Sequence, residues 1–188
     1  MTGSGSAEVT AVVLCGGASR RFGSDKTAAL LHGRSLLDHV LDGLPHNWPV
    51  VCVGAERPTC RRVRWVREDP PGGGPLAGVV AGAWAAATPL LVVLAADMPY
   101  ASEVAPRLVA ALPAKGEPKG VCARDDSGQV NPLLAAYRRK DLLDLVGDSG
   151  HDRAAKTLLR LPHAVLDVSG PAAADVDYPE DLSGFPAR

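Results

Sequence analysis

The segment Leu14-Cys15-Gly16-Gly17-Ala18-Ser19-Arg20-Arg21-Phe22-Gly23-Ser24-Asp25-Lys26 directly follows the apolar run that begins at Val9. A strand that empties into a double glycine is suited to anions. Without Cβ atoms, Gly16 and Gly17 can turn with positive φ and bring bare N–H groups close to a ligand. Arg20, Arg21 and Lys26 add cationic donors in the same loop, and three cations suit a triphosphate better than a single phosphate. Two familiar phosphate loops fail on spacing. Ser24 and Asp25 separate Gly23 from Lys26, which breaks G-x-x-x-x-G-K-[S/T], and adjacent glycines cannot form the dinucleotide fingerprint G-x-G-x-x-G.

Three carboxylates extend this chemistry. Asp97, in Leu94-Ala95-Ala96-Asp97-Met98-Pro99, ends a fully apolar run, where a charge is costly without a cation. Magnesium suits it, being held by one or two carboxylates while waters and substrate phosphates complete its octahedron. The competing assignment is a cap on the next helix, a task Ser102 could also perform. Asp177 is a second candidate metal ligand if the late chain returns beside Asp97, or else a helix N-cap before Pro179. Asp69 opens the stretch Pro70 to Pro75, whose three glycines let a backbone wall approach a flat base or ribose. The helix starting at Leu76 presents free N–H groups there. A carboxylate at that entrance accepts from ring N–H and amino groups, a donor pair that guanine has, or else is a plain turn residue. His32, His39, His46, His151 and His163 are scattered without a plausible nucleophile, and Cys15 is expected to be a small packing residue.

The elements that must position these residues follow from hydrophobic patterning. Unbroken apolar runs at Val9–Leu14, Val50–Val53 and Leu90–Ala96, with an interrupted one at Val63, Trp65 and Val66, imply parallel strands buried on both faces. Helical spacing links Leu36 to Leu44 and Leu76 to Ala87, and predicts a further helix over Ser102–Leu112 with Ser102 as N-cap. Gly120–Ala123 and Val130–Tyr137, joined by Asp125-Asp126-Ser127-Gly128, read as a hairpin added to the sheet. Helices over Arg138–Val146 and His151–Arg160, a strand at Ala164–Val168 and a helical turn after Pro179 complete the pattern. The expected fold is a three-layer α/β/α, Rossmann-like architecture with a mostly parallel sheet. Ligands in such sheets bind beyond the carboxyl ends of the strands. The loops carrying Gly16–Lys26, Glu56, Asp69–Gly78 and Asp97 would converge there.

With 188 residues and no internal repeat, the chain is expected to form one domain over residues 9–188 behind a loose tail over residues 1–8. Its formal net charge of -1 supplies no global field for nucleic acid or an anionic membrane. The most apolar stretch, Pro89 to Ala96, is far shorter than the ~20 residues of a membrane helix. Four scattered cysteines without a C-x-x-C pair, and an N-terminus unlike a signal peptide, suggest a cytoplasmic protein.

L-C-G-G-A-S-R-R-F-G-S-D-K, E-D-P-P-G-G-G-P-L-A-G, A-A-D-M-P-Y, N-P-L-L-A-A-Y-R and D-V-D-Y-P-E-D-L, in this order over nearly the whole chain, resemble the motifs of the molybdenum cofactor guanylyltransferases. The resemblance implies transfer of GMP from GTP to the terminal phosphate of molybdopterin with release of pyrophosphate. It implies that Leu14, Cys15, Gly16 and Gly17 hold the guanine and ribose end, Arg20, Arg21 and Lys26 the triphosphate, and Asp97 magnesium. Glu56, Asp69, Pro75, Leu76 and Gly78 would join the nucleotide site, Glu56 standing where the family usually has asparagine. Asn131-Pro132 replaces a frequent His-Pro on the acceptor side, and Asp177 a frequent asparagine. A monomer or weak homo-oligomer that hands its product to a molybdoenzyme or its chaperone is the expectation. A cytidylyltransferase, for which alanine-glycine would be more usual than Gly16-Gly17, and a non-catalytic nucleotide-binding module are the alternatives.

Overall fold

In the computed structural model, residues 8–16 and 28–187 are described. β1 (Val9–Leu14) is buried at every position, as an almost wholly apolar strand covered on both faces requires, and the hydroxyl of its one polar residue, Thr10, pairs with that of Thr88 (2.7 Å). A short antiparallel ribbon, β2 (Leu30–Leu31) and β3 (Arg34–Ser35), leads into α1 (Leu36–Gly43). Then come β4 (Val50–Val53), β5 (Arg64–Val66), α2 (Pro75–Ala85), β6 (Leu90–Ala95) and α3 (Ala105–Ala111). The hairpin β7 (Gly120–Arg124) and β8 (Val130–Arg138), α4 (Arg139–Val146) and β9 (His163–Asp167) follow.

The seven-stranded sheet has the order β5-β4-β1-β6-β8-β7-β9, and β8 alone runs against its neighbours. The period of two along β1 divides the interior into two layers. Val9, Ala11 and Val13 pack with Leu37, Val40 and Leu41 of α1 and Leu108 of α3, while Val12 and Leu14 pack with Val79, Val80 and Ala83 of α2 and Leu142 of α4. This is the expected mostly parallel α/β/α architecture. A glycine permits the closest approach between layers: a Cβ on Gly82 of α2 would lie 2.3 Å from Val12 Cγ1.

Arg61 ties α1 to the strands beside it. Its guanidinium donates to the carbonyls of Leu41 and Leu44 (both 3.2 Å), His46 and Trp48 (both 3.1 Å), and reaches Pro45 at 3.5 Å. Leu41 O and Pro45 O also accept from the N–H groups of Leu44 (3.4 Å) and Trp48 (3.1 Å), and the guanidinium adds a cationic donor at the negative end of the helix dipole.

Two expected helices begin later than the pattern suggests. Ser102 is buried in a 3-10 turn, Ala101–Glu103, and α3 starts only at Ala105. An α-helix from Ser102 would drive the Pro106 ring into the Ser102 carbonyl, four residues earlier, whereas near the start of a helix proline is harmless. Ser102 is therefore no N-cap. His151–Arg160 holds a 3-10 stretch, Ala155–Arg160, because Asp152 adopts φ +54 and interrupts any helix before it. The β2–β3 ribbon was not expected; two residues per strand carry no periodicity. Among the described residues no helix is long and apolar enough to cross a membrane.

Arg61→Ala should lower the unfolding free energy by about 2–3 kcal/mol, since charge-assisted bonds to several carbonyls are lost together. Arg61→Lys should recover less than half, because a point charge cannot reproduce the planar fork. Urea unfolding of both variants checks this; equal stability of Arg61→Ala and the wild type would contradict it.

Candidate nucleotide site

The end of β1 is fixed from both sides. Cys15 N–H donates to Val53 O of β4 (2.8 Å), and Leu14 O accepts from Ala96 N–H just beyond β6 (3.0 Å). The start of the glycine loop and Asp97 are thereby held on adjacent strand ends. Cys15 itself is 4% exposed within the core, in keeping with a packing role. Gly16 is exposed. Gly17, Arg20, Arg21 and Lys26 lie outside the described residues.

A cavity of ≈ 370 Å³ opens beside this strand end. Four expected nucleotide-site residues line it: Leu14, Gly16, Pro75 and Gly78. Its other walls are Val53, Glu68, Gly72 and Gly74. Gly74 is the N-cap of α2 with φ +86, so the chain enters the helix through a backbone conformation that favours glycine, and the first helical turn presents amide donors and the positive end of the dipole. Leu76 is wholly buried in the core and is not a lining residue.

The carboxylate lining the cavity belongs to Glu68, which the sequence reading did not single out. Its Oε1 accepts from Gly72 N–H at 3.1 Å, closing the loop around its own side chain. Asp69 is exposed and is not a lining residue, and Glu56, in the loop after β4, is exposed as well.

The second group of expected residues gathers beyond β6. Asp97 is half-buried, and its carbonyl accepts from Val176 N–H at 2.9 Å, which brings the chain at Asp177 back beside it. Neither aspartate acts as a cap. The 3-10 turn after Tyr100 has no side-chain cap bond, and Asp181 closes the turn at Pro179, accepting from the N–H groups of Asp177 (2.8 Å) and Tyr178 (2.7 Å). Asn131 approaches the same loop, its Nδ2 3.6 Å from Met98 Sδ and its Oδ1 accepting from Leu133 N–H; Pro132 O accepts from the buried Tyr137 hydroxyl at 2.9 Å. Among the described residues no three His, Cys, Asp or Glu side chains are grouped to hold a metal by themselves. Asp97 and Asp177 stand on neighbouring loops, and carboxylate oxygens are the donor type that suits a hard cation shared with substrate phosphates.

A larger cavity of ≈ 560 Å³ sits at the opposite end of the sheet, where β6 begins. Three of the cations that line it are engaged by the fold: Lys119 and Arg138 both pair with Asp141 (3.2 and 2.7 Å), and Arg139 donates to Ala83 O (2.6 Å) while lying over the Trp84 ring.

A glycine loop after a central parallel strand, a glycine-capped helix beside it and an acidic strand end next door define a nucleotide-handling α/β protein. Residues 11–167 match the model of the MobA-like NTP transferase domain, and the chain belongs to this family of nucleotidyltransferases. It is 36% identical over 146 residues to a probable molybdenum cofactor guanylyltransferase of Chloroflexus aggregans, covering 73% of this chain and 69% of that protein. A molybdenum cofactor guanylyltransferase of Acidiphilium cryptum is 43% identical over 111 residues, 54% of this chain and 57% of that one. In fold, the chain resembles the molybdopterin-guanine dinucleotide biosynthesis protein A of Archaeoglobus fulgidus, with a TM-score of 0.67, 24% identity and coverage of 93% and 95%.

Gly74→Ala should destabilise the protein by about 1–2 kcal/mol through backbone strain alone, since no atom lies within 4 Å of the added Cβ. Thermal unfolding tests this, and a variant as stable as the wild type would show that the entry into α2 does not require its positive φ.

Proposed function

We propose that this chain transfers GMP from GTP to the terminal phosphate of molybdopterin, releasing pyrophosphate in a magnesium-dependent reaction. The observation that carries the reading is the cavity between the β1 end and the start of α2, walled by glycine backbone and containing the Glu68 carboxylate. A carboxylate accepts from both N1–H and the 2-amino group of guanine, a pairing that neither cytosine nor adenine can offer. The Chloroflexus and Acidiphilium relatives, a probable and a named molybdenum cofactor guanylyltransferase, support the same nucleotide and acceptor.

In this reading Leu14, Cys15, Gly16 and Gly17 hold the base and ribose end with Pro75, Gly78 and the backbone of Leu76, while Glu56 and Asp69 contact the nucleotide from the exposed rim. Arg20, Arg21 and Lys26 bind the triphosphate and stabilise the departing pyrophosphate. The attacking oxygen belongs to a phosphate already ionised near neutral pH, so no protein base is required. The chain's task is alignment and charge neutralisation, which puts the weight on fixed strand ends. Asp97 and Asp177 would hold the magnesium ion, which when bound supplies Lewis-acid neutralisation of phosphate charge. Asn131 and Pro132, beside Met98, would flank the acceptor. The buried thiols Cys52 and Cys122 suit a reducing cytoplasm.

The test is incubation of the purified protein with molybdopterin, magnesium and each of GTP, CTP and ATP, with the dinucleotide and pyrophosphate quantified. Equimolar guanine dinucleotide and pyrophosphate are expected; a preference for CTP would move the chain to cytidylyl transfer. Asp97→Ala should abolish turnover, and near-normal product formation would exclude the metal assignment. Glu68→Gln keeps an acceptor for Gly72 N–H and removes one oxygen from the base, so GTP affinity should fall about tenfold while binding of the bare triphosphate is unchanged. Equal affinity for GTP in both proteins would remove Glu68 from base recognition.

A further inference from the structure

A third apolar cluster lies apart from the two layers that cover the sheet. Leu31, Leu36, Tyr100, Val176 and Phe185 form it, each 7% exposed or less. Its members come from four separate stretches of chain: the β2–β3 ribbon and the start of α1, the turn three residues after Asp97, the residue before Asp177, and the extended segment after the last 3-10 turn.

Several polar and ring contacts tie this cluster to that last segment and to the ribbon. Tyr100 donates its hydroxyl to Pro186 O (2.5 Å), and its ring meets Phe185 edge-on, with centroids 5.6 Å apart at 66°. On its other side Tyr100 meets His39 edge-on at 5.9 Å. His39 Nε2 lies 2.8 Å from Leu31 O and His32 Nε2 lies 3.1 Å from Phe185 O, so each Nε2 carries a proton and donates. Val176, fully buried, donates its N–H to Asp97 O. The loop bearing Asp97 thus has the end of β6 on one side and this aromatic knot on the other.

We propose that Phe185 and Tyr100 are positioning residues for the metal and phosphate half of the site: the segment 185–186, docked against Tyr100, fixes where Asp97 and the chain at Asp177 stand relative to the end of β1. The inference rests on the guanylyl-transfer reading for its consequence in turnover, though not for its consequence in structure. An edge-to-face aromatic pair adds roughly 0.5–1.5 kcal/mol beyond area burial, small beside a whole domain but sufficient to select one loop position. Misplacing a reacting group by about 1 Å costs on the order of 100-fold in rate.

The experiment uses the full chain with Phe185→Ala, Phe185→Leu and Tyr100→Phe. Hydrogen exchange is read first, without nucleotide. In Phe185→Ala the Val176 amide should exchange at least tenfold faster, with the amides of β1 and β6 as protected as in the wild type. Steady-state kinetics should then show kcat lower by 10- to 100-fold with KM for GTP within about twofold, because the base cavity lies on the other side of β1. Phe185→Leu should restore most of kcat by refilling the volume, and Tyr100→Phe, which removes the hydroxyl bonded to Pro186 and keeps the ring, should fall between. A Val176 amide as protected in Phe185→Ala as in the wild type would overturn the proposal, as would kcat and KM changing in equal proportion with general loss of protection. If the exchange result holds but the wild type forms no guanine dinucleotide, the failure lies with the guanylyl-transfer reading and the structural role of Phe185 stands.

Discussion

The site depends on two hydrogen bonds at the end of β1. Cys15 N–H to Val53 O and Ala96 N–H to Leu14 O lock three parallel strands in register at the point where the chain leaves the sheet. Because the strands are parallel, that register gathers their carboxyl ends on one side, so a glycine loop, a glycine-capped helix and an acidic turn become neighbours without contact between their sequences. Burial of β1 on both faces makes the register hard to shift: a slip of one residue would exchange the side chains that meet α1 and α3 for those that meet α2 and α4.

From this fixed edge the two halves of the site are built differently. The cavity half is mostly backbone. Gly78 lets α2 stand close to Leu14 and Val53, Gly72 and Gly74 turn the entry loop with positive φ, and the Glu68 side chain in the wall is restrained by its own loop. The half around Asp97 relies on side chains and on the late chain folding back, through Val176 and the aromatic contacts of Tyr100. Rigid backbone suits recognition of a flat base, and carboxylates on converging loops suit shared coordination of a cation with a mobile phosphate.

Much of this was legible in the sequence, and the exceptions have physical causes. The strands Val9–Leu14, Val50–Val53 and Leu90–Ala95 stand out because parallel strands covered on both faces must be uniformly apolar, and the Pro-Gly loop before α2 marks the crevice by composition alone. Glu68 was not singled out, and its neighbour Asp69 was, because adjacent acids in one loop look alike by composition. Val66, the last residue of β5, packs into the layer of α2, and Glu68, two residues on, lines the cavity beside it, whereas Arg67 and Asp69 are exposed. Tracking the parity from Trp65 and Val66 would have identified Glu68. Ser102 reads as a cap because the obstruction comes from Pro106, four residues away, and the docking of Phe185 against Tyr100 is invisible because a lone aromatic after the last turn has no period to read.

The most direct test of the account is a crystal structure of the protein with GTP and magnesium. The account predicts guanine in the cavity between Leu14, Gly74 and Gly78, with N1 and N2 within hydrogen-bonding distance of the Glu68 carboxylate and the triphosphate running toward Asp97. Guanine bound elsewhere, or turned with its sugar edge toward Glu68, would contradict it.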